Sequence, residues 1–202
     1  MTLHRRRWLA VSAGVLVLSA CDWVRGKPAG PTFHSTDITG ATFARRLSMP
    51  DVDGKQRTLA DWKGKVTVVF FGYTQCPDFC PATMAELAQI RKSLGAAGER
   101  LQVVFVSVDP ERDTPEILKT YAANFGPGVI ALRGSDDETA AVAKEFKVFY
   151  AKVPGKSPGS YSMDHSAASF VFDPNGRARL YVPYGADPTA LAADLKQLLA
   201  GA

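Results

Sequence analysis

The chain has 202 residues, 46% of them apolar and 22% charged. That is ordinary for a globular protein and enough for one well-buried domain with extensions. The formal charge of +4 falls to +1 once Arg5, Arg6 and Arg7 are set aside as part of a removable leader, which leaves no electrostatic basis for nucleic-acid binding.

Residues 1–20 follow the secretory pattern, with a basic start and an apolar run from Trp8 to Ala20. The run falls short of the roughly 20 apolar residues that a membrane span needs. It ends in Leu18-Ser19-Ala20-Cys21, which resembles the bacterial lipoprotein box. The resemblance implies cleavage before Cys21, lipidation of Cys21 and membrane attachment through that lipid. Asp22 resembles the signal that retains such lipoproteins in the inner membrane. The expected location is therefore the inner membrane, facing the periplasm. The alternative is an uncleaved anchor with a chance cysteine. Arg5-Arg6-Arg7-Trp8-Leu9 is also loosely similar to a twin-arginine export signal, the less favoured route.

With Cys21 assigned to lipid, Cys76 and Cys80 are the remaining thiols of three. In an oxidising compartment such a pair can be a disulfide. A loop this short closes little chain entropy, so chemistry explains the pair better than stapling. Residues 21–42 contain Gly26, Pro28, Gly30, Pro31 and Gly40 without periodicity and read as a tether. His34 falls in it as a solvated residue. The domain is expected over 43–202.

Within the domain, Met49–Lys55 reads as a strand end and turn, and Leu59–Trp62 as a short helical turn. Val66–Tyr73 is a continuous apolar run, the mark of a strand buried on both faces. A helix over Pro81–Leu94 carries Met84, Leu87, Ile90 and Leu94 on one stripe and stops at Gly95. Met84 belongs to the core by its place in that stripe. Leu101–Val108 is a second buried strand. Thr114 caps the next helix with Pro115 at its first position, and Ile117, Leu118, Tyr121 and Phe125 are expected to face inward. Ser135–Glu138 is a capping box opening a helix to Phe146. Residues 148–160 read as loop. Ser166–Phe172 and Arg177–Val182 form a hairpin around Asp173-Pro174-Asn175-Gly176. Asp187-Pro188 caps a last helix with Leu191, Leu195 and Leu199 on its buried face.

Strands alternating with helices, then a hairpin and a final helix, give an α/β thioredoxin-like fold: a central mixed β-sheet flanked by helices. Cys76 and Cys80 then lie where ligands bind in such sheets, at the carboxyl end of a central strand and the amino end of a helix. Helix-start amides favour thiolate there. His165 is expected at the start of the hairpin's first strand, facing the same turn. Thioredoxins carry a proline at that place and this chain does not, which shifts the reading from redox exchange towards metal. Two thiolates and an imidazole suit Cu(I), and the imidazole suits copper in either state. Zinc would want a fourth ligand, and the sequence offers no obvious one.

Three stretches together carry a closer resemblance. They are Phe71-Gly72-Tyr73-Thr74-Gln75-Cys76-Pro77-Asp78-Phe79-Cys80-Pro81, Val106-Ser107-Val108-Asp109-Pro110-Glu111-Arg112-Asp113-Thr114-Pro115, and Asp164-His165-Ser166. With Phe33 and Asp37-Ile38-Thr39-Gly40, they resemble the Sco/SenC family from about residue 33 to the end. The resemblance implies copper at Cys76, Cys80 and His165. It also implies a role in building the CuA centre of cytochrome c oxidase, whose CuA-bearing subunit would be the partner. Other periplasmic copper chaperones or thioredoxin-like reductases would be further partners.

Asp78, Asp109, Asp113 and Asp164 are candidate partner-recognition residues. Each also has a plainer role as a helix-start, turn or strand residue. Phe70, Phe71, Tyr73 and Phe79 are assigned to the core and to shielding the site. The rival function is a thiol–disulfide oxidoreductase that reduces the oxidase cysteines through the Cys76–Cys80 pair. A copper or redox sensor is a further alternative. A peroxiredoxin-like peroxidase fits poorly, since Thr74 stands two residues before Cys76 rather than three.

Overall fold

The computed structural model describes residues 32–201. The leader, Cys21 and the first part of the expected tether lie outside the described residues. Ten strands and four α-helices follow in chain order. The strands are β1 (Thr36–Asp37), β2 (Ser48–Pro50), β3 (Gln56–Thr58), β4 (Val66–Gly72), β5 (Leu101–Ser107), β6 (Val129–Leu132), β7 (Tyr150–Pro154), β8 (Tyr161–His165), β9 (Ser169–Phe172) and β10 (Ala178–Val182). The helices are α1 (Phe79–Ser93), α2 (Pro115–Ala123), α3 (Asp136–Phe146) and α4 (Pro188–Leu199).

The main sheet has the order β1-β10-β9-β4-β5-β6. β4, β5 and β6 run parallel, while β9 is antiparallel to β4. β4 is thus central, and all its residues are buried, as its unbroken apolar run requires. Its alternating side chains build two cores. Phe70 meets Phe105, which meets Tyr121 of α2, on one face. Phe71 meets Phe146 of α3 and Phe170 on the other. Met84 is fully buried, as its stripe predicts.

The helix starts follow the capping chemistry in the sequence. The Thr114 side chain accepts from the Ile117 amide, Ser135 and Glu138 close a reciprocal capping box, and Asp187 accepts from Thr189.

Several elements differ from expectation. Packing begins ahead of residue 43. The His34 and Ser35 amides donate to the buried Asp194 carboxylate at 2.9 and 2.8 Å, and β1 pairs with β10. Backbone donors, invisible in a Gly/Pro-rich composition, hold this segment. Residues 148–160 are not simple loop, because β7 lies within them and pairs with β8 to form a separate two-stranded ribbon. Four-residue β6, at the sheet edge, also went unread. Ile117 is 44% exposed, because the inward face of the short α2 is set by Leu118 and Ala122. Among the described residues, no helix is long and apolar enough to cross a membrane.

Candidate metal centre

The chain leaves the carboxyl end of β4 at Gly72 and turns through residues 73–78 into α1. Gly72 is required by close approach. A Cβ there would lie 2.9 Å from the Cys80 sulfur and 3.0 Å from the Phe105 and Phe70 rings. The missing side chain lets the Cys80 thiol sit directly on the sheet. Cys76 lies in the 73–78 turn and Cys80 in the first turn of α1, and the Cys80 amide donates to the Cys76 sulfur at 3.4 Å. The orphan amide of a helix start is thereby spent on a thiol sulfur.

His165 reaches this pair from elsewhere in the fold. It ends β8 of the separate ribbon, whereas the sheet strand beside β4 begins only at Ser169. This corrects its expected place at the start of the sheet hairpin. The ligand-bearing strand alternates, with Tyr161, Met163 and His165 turned inward and Ser162 and Asp164 exposed, but at five residues between Pro/Gly-rich turns that alternation is too short to stand out in the sequence. The imidazole still lands on the site, with Nε2 3.4 Å from Cys80 Sγ. The donor atoms of Cys76, Cys80 and His165 all lie within 4.8 Å of one another.

Nδ1 of His165 lies 3.1 Å from the Ser166 carbonyl oxygen. A carbonyl only accepts, so Nδ1 carries the proton and Nε2 turns its lone pair to the thiols. Phe70 and Tyr73 stand edge-on to the imidazole, with centroids at 6.2 and 5.9 Å. Burial pushes the Cys80 thiol above its usual range, and neighbouring Cys76 adds to the effect. Burial also holds His165 below the usual histidine range, against the opposing pull of the Ser166 carbonyl and Asp164. The metal-free site is therefore neutral at Cys80 and His165, with the Cys80 S–H donating to Nε2. A soft cation takes the place of that proton and finds two sulfurs and one nitrogen already converged. That donor set fits copper.

The turn after β5 locks the two halves of the site together. Asp113 accepts from the Thr74 amide at 3.1 Å, from the Thr74 hydroxyl at 2.6 Å and from the Ser107 hydroxyl at 2.6 Å. Two residues before Cys76, the thiol loop is thus pinned to β5. Asp109 accepts from the Tyr161 hydroxyl at 2.8 Å and pairs with the Arg112 guanidinium. Arg112 donates to the Tyr161 carbonyl at 2.7 Å and to Gln75 Oε1 at 3.1 Å, and lies 3.6 Å over the Tyr161 ring. One side chain therefore touches both the thiol loop and the strand that ends in His165.

Asp109 and Asp113 are buried, which corrects their assignment as recognition residues. Their charge is spent inward on hydroxyls, an amide and a guanidinium. Asp78 and Asp164 are exposed, and the Asp78 side chain makes no cap hydrogen bond. Asp164 precedes His165 on β8 and points away from the thiols, as strand alternation requires. Phe79 is 47% exposed rather than core, and meets Tyr184 edge-on at 4.8 Å. Arg112, Thr74 and Tyr161 are the site residues that sequence reasoning missed. The signal available was the dense charge of residues 109–113 beside a motif cysteine loop. Cys21 lies outside the described residues.

The sequence model of the family SCO1/SenC matches residues 35–200. The SCO2-like protein of Rickettsia felis is 36% identical over 128 residues, which cover 63% of this chain and 62% of that relative. The chain thus spans about three fifths of the length of this curated relative. The structure of Bradyrhizobium japonicum ScoI with copper bound is 38% identical with a TM-score of 0.69, over 77% of this chain and 99% of that one. Apo Sco1 from Thermus thermophilus is 37% identical with a TM-score of 0.73, over 84% of this chain and 99% of that one.

Proposed function

This chain belongs to the SCO1/SenC family, and from that premise we propose that it is a copper chaperone serving assembly of the CuA centre of cytochrome c oxidase. Copper is its cargo. Cys76 and Cys80 bind it as thiolates and His165 Nε2 completes the site. The CuA-bearing subunit receives it, and Cys21 holds the chain by lipid to the periplasmic face of the inner membrane. The observation that carries this reading is the convergence of two sulfurs and one oriented nitrogen within 4.8 Å. A dithiol reductase needs no imidazole with its proton fixed on the far nitrogen. The ScoI relative in the copper-bound state supports the choice of metal.

Transfer proceeds by ligand exchange. An incoming thiol displaces one donor at a time and gives its proton to the departing thiolate, and copper is never released to water. The Ser166 carbonyl keeps the departing imidazole in its binding tautomer. The Cys80 S–H re-forms its hydrogen bond to Nε2 as copper leaves.

The test is copper titration of the reduced and oxidised protein with absorption and electron paramagnetic resonance spectra. The dithiol form is expected to bind one copper and the Cys76–Cys80 disulfide none, since a disulfide sulfur offers no thiolate charge. His165→Ala is expected to lose Cu(II) steeply and Cu(I) less, because two thiolates alone suit the softer ion. Equal copper binding by oxidised and reduced protein rejects the ligand set. Full rescue of oxidase assembly by His165→Ala, but not by Cys76→Ser, favours the reductase.

A further inference from the structure

The end of the sheet away from the metal centre is built from cations. Lys63 and Lys65 lead into β4, and Arg100 leads into β5, whose Leu101 is in register with Val66. Arg177 closes the β9–β10 turn, where Phe172 stands opposite Thr67. Direct bonds hold these pieces at one place. Arg100 donates to the Gly64 carbonyl at 3.2 Å, and the Gly64 amide donates to the Pro174 carbonyl at 2.8 Å. Arg45 shares a cleft with Arg177 and Arg179. Of the acids near this end, Glu99 is exposed beside Arg100 and Asp61 is held by Thr58 and Arg57, while the others are spent within the fold. Asp173 is buried against Arg177 and Arg179, and Glu145 accepts the Arg45 and Arg46 amides. The metal end is mixed in sign: Asp78, Asp164 and Asp187 are exposed, as are Lys156 and a Lys152 that pairs with Glu111.

The chain enters the fold at the cationic end. The Thr32 carbonyl accepts from Gln197 in the last turn of α4, and the Leu199 carbonyl of that turn accepts from Arg100 at 3.2 Å. Thr32 lies eleven positions after Cys21, a reach of at most about 40 Å.

We propose that this cationic end is a membrane-contact surface that rests on the anionic phospholipid headgroups of the bilayer to which Cys21 is anchored. The inference rests on the anchored reading given above. A diacylated Cys21 holds the chain to the bilayer without orienting the domain, and a basic patch adds an electrostatic contact to anionic headgroups that does. The mixed-sign metal end offers the headgroups no comparable attraction, so the domain rests on its cationic end with its copper ligands turned outward. The seven residues of β4 hold those ligands about 20 Å or more above the contact.

The experiment uses the lipid-modified chain in nanodiscs of phosphatidylcholine alone or of phosphatidylcholine with phosphatidylglycerol. A brief pulse of an amine-acetylating reagent is followed by peptide mass spectrometry. Lys63 and Lys65 are expected to label severalfold more slowly on the anionic discs, with the difference removed by high salt. Lys156, exposed on the ribbon that carries His165, is expected to label equally on both discs. In Lys63→Glu/Arg45→Glu, protection of Lys65 is expected to disappear while copper uptake by the reduced protein is unchanged.

Equal labelling of Lys63 and Lys65 on both discs, or protection of Lys156 instead, overturns the proposal. So does protection of Lys65 that persists in the double variant. A chain that stays on both discs without differential labelling keeps its anchor and loses this surface. A chain that stays with neither disc loses both.

Discussion

Asp113 carries a charge that the fold has enclosed completely. Burial holds its carboxyl above the usual range, the donated bonds of Ser107 and Thr74 oppose that, and the nearby Asp109 charge adds to it. A carboxyl raised in the folded state gives up stability as pH climbs. Well below its ordinary value of 3.8 it is protonated in both states and contributes nothing. As the pH passes that value the unfolded chain ionises first, and the folded state must follow at a cost. Asn at this position keeps a hydrogen-bonding amide without the charge. The difference in urea midpoint between Asp113→Asn and the parent, measured on reduced protein, should therefore move in the variant's favour as pH rises from about 4 to 7. A difference that is flat with pH, or that moves the other way, rejects the buried-carboxylate account. Residues of this kind also mark the limit of sequence reading. Cysteine and histidine number three each in 202 residues, so a C-x3-C and a late histidine stand out. An aspartate in a charged turn looks solvated, and only packing shows that Asp109 and Asp113 point inward.

The ribbon of β7 and β8 is the element least legible in the sequence, because only Met163 of its strand residues is buried and Pro154, Gly155, Pro158 and Gly159 mimic plain loop. The elements read well are those whose burial imposes a pattern: β4, β5 and the capped helices. The ribbon nevertheless carries the nitrogen ligand, and its register with the thiols depends on side-chain bonds from the 109–113 turn. Arg112 is the test of that dependence. Arg112→Ala removes the contacts to Tyr161 and Gln75 and leaves Asp109 buried without its guanidinium, a loss of about 3–5 kcal/mol for a broken buried pair. Arg112→Lys restores charge but not the planar fork or the ring stack, and should recover only part. The decisive readout is spectroscopic. In Arg112→Ala the Cu(II) resonance parameters should shift towards those of His165→Ala, while Cu(I) stoichiometry stays at one. An unchanged Cu(II) spectrum in a folded Arg112→Ala would show that the ribbon is positioned by something else.

At the scale of the whole molecule, copper held by Cys76, Cys80 and His165 would join parts of the chain that are far apart in sequence. Cys76 and Cys80 are four positions apart across the start of α1, but Cys80 and His165 are separated by 85 positions. The metal would therefore brace the ribbon against the β4–α1 junction, and its binding energy becomes folding stability for the domain. A ligand present at about 100 times its dissociation constant adds about 2.7 kcal/mol. For a domain of this size that corresponds to a rise in melting temperature of roughly 5–10 °C. The reduced protein should show this rise with Cu(I), measured by calorimetry under argon. The oxidised protein should show none. His165→Ala should bind Cu(I) with a smaller rise, because the metal then bridges only two nearby residues already joined by the Cys80 amide to Cys76 sulfur bond. A reductase acting through the dithiol alone has no such link between ribbon and helix, so it predicts the same copper response with and without the histidine. An equal rise in wild type and His165→Ala would thus remove His165 from the site, even though its Nε2 stands 3.4 Å from the Cys80 sulfur.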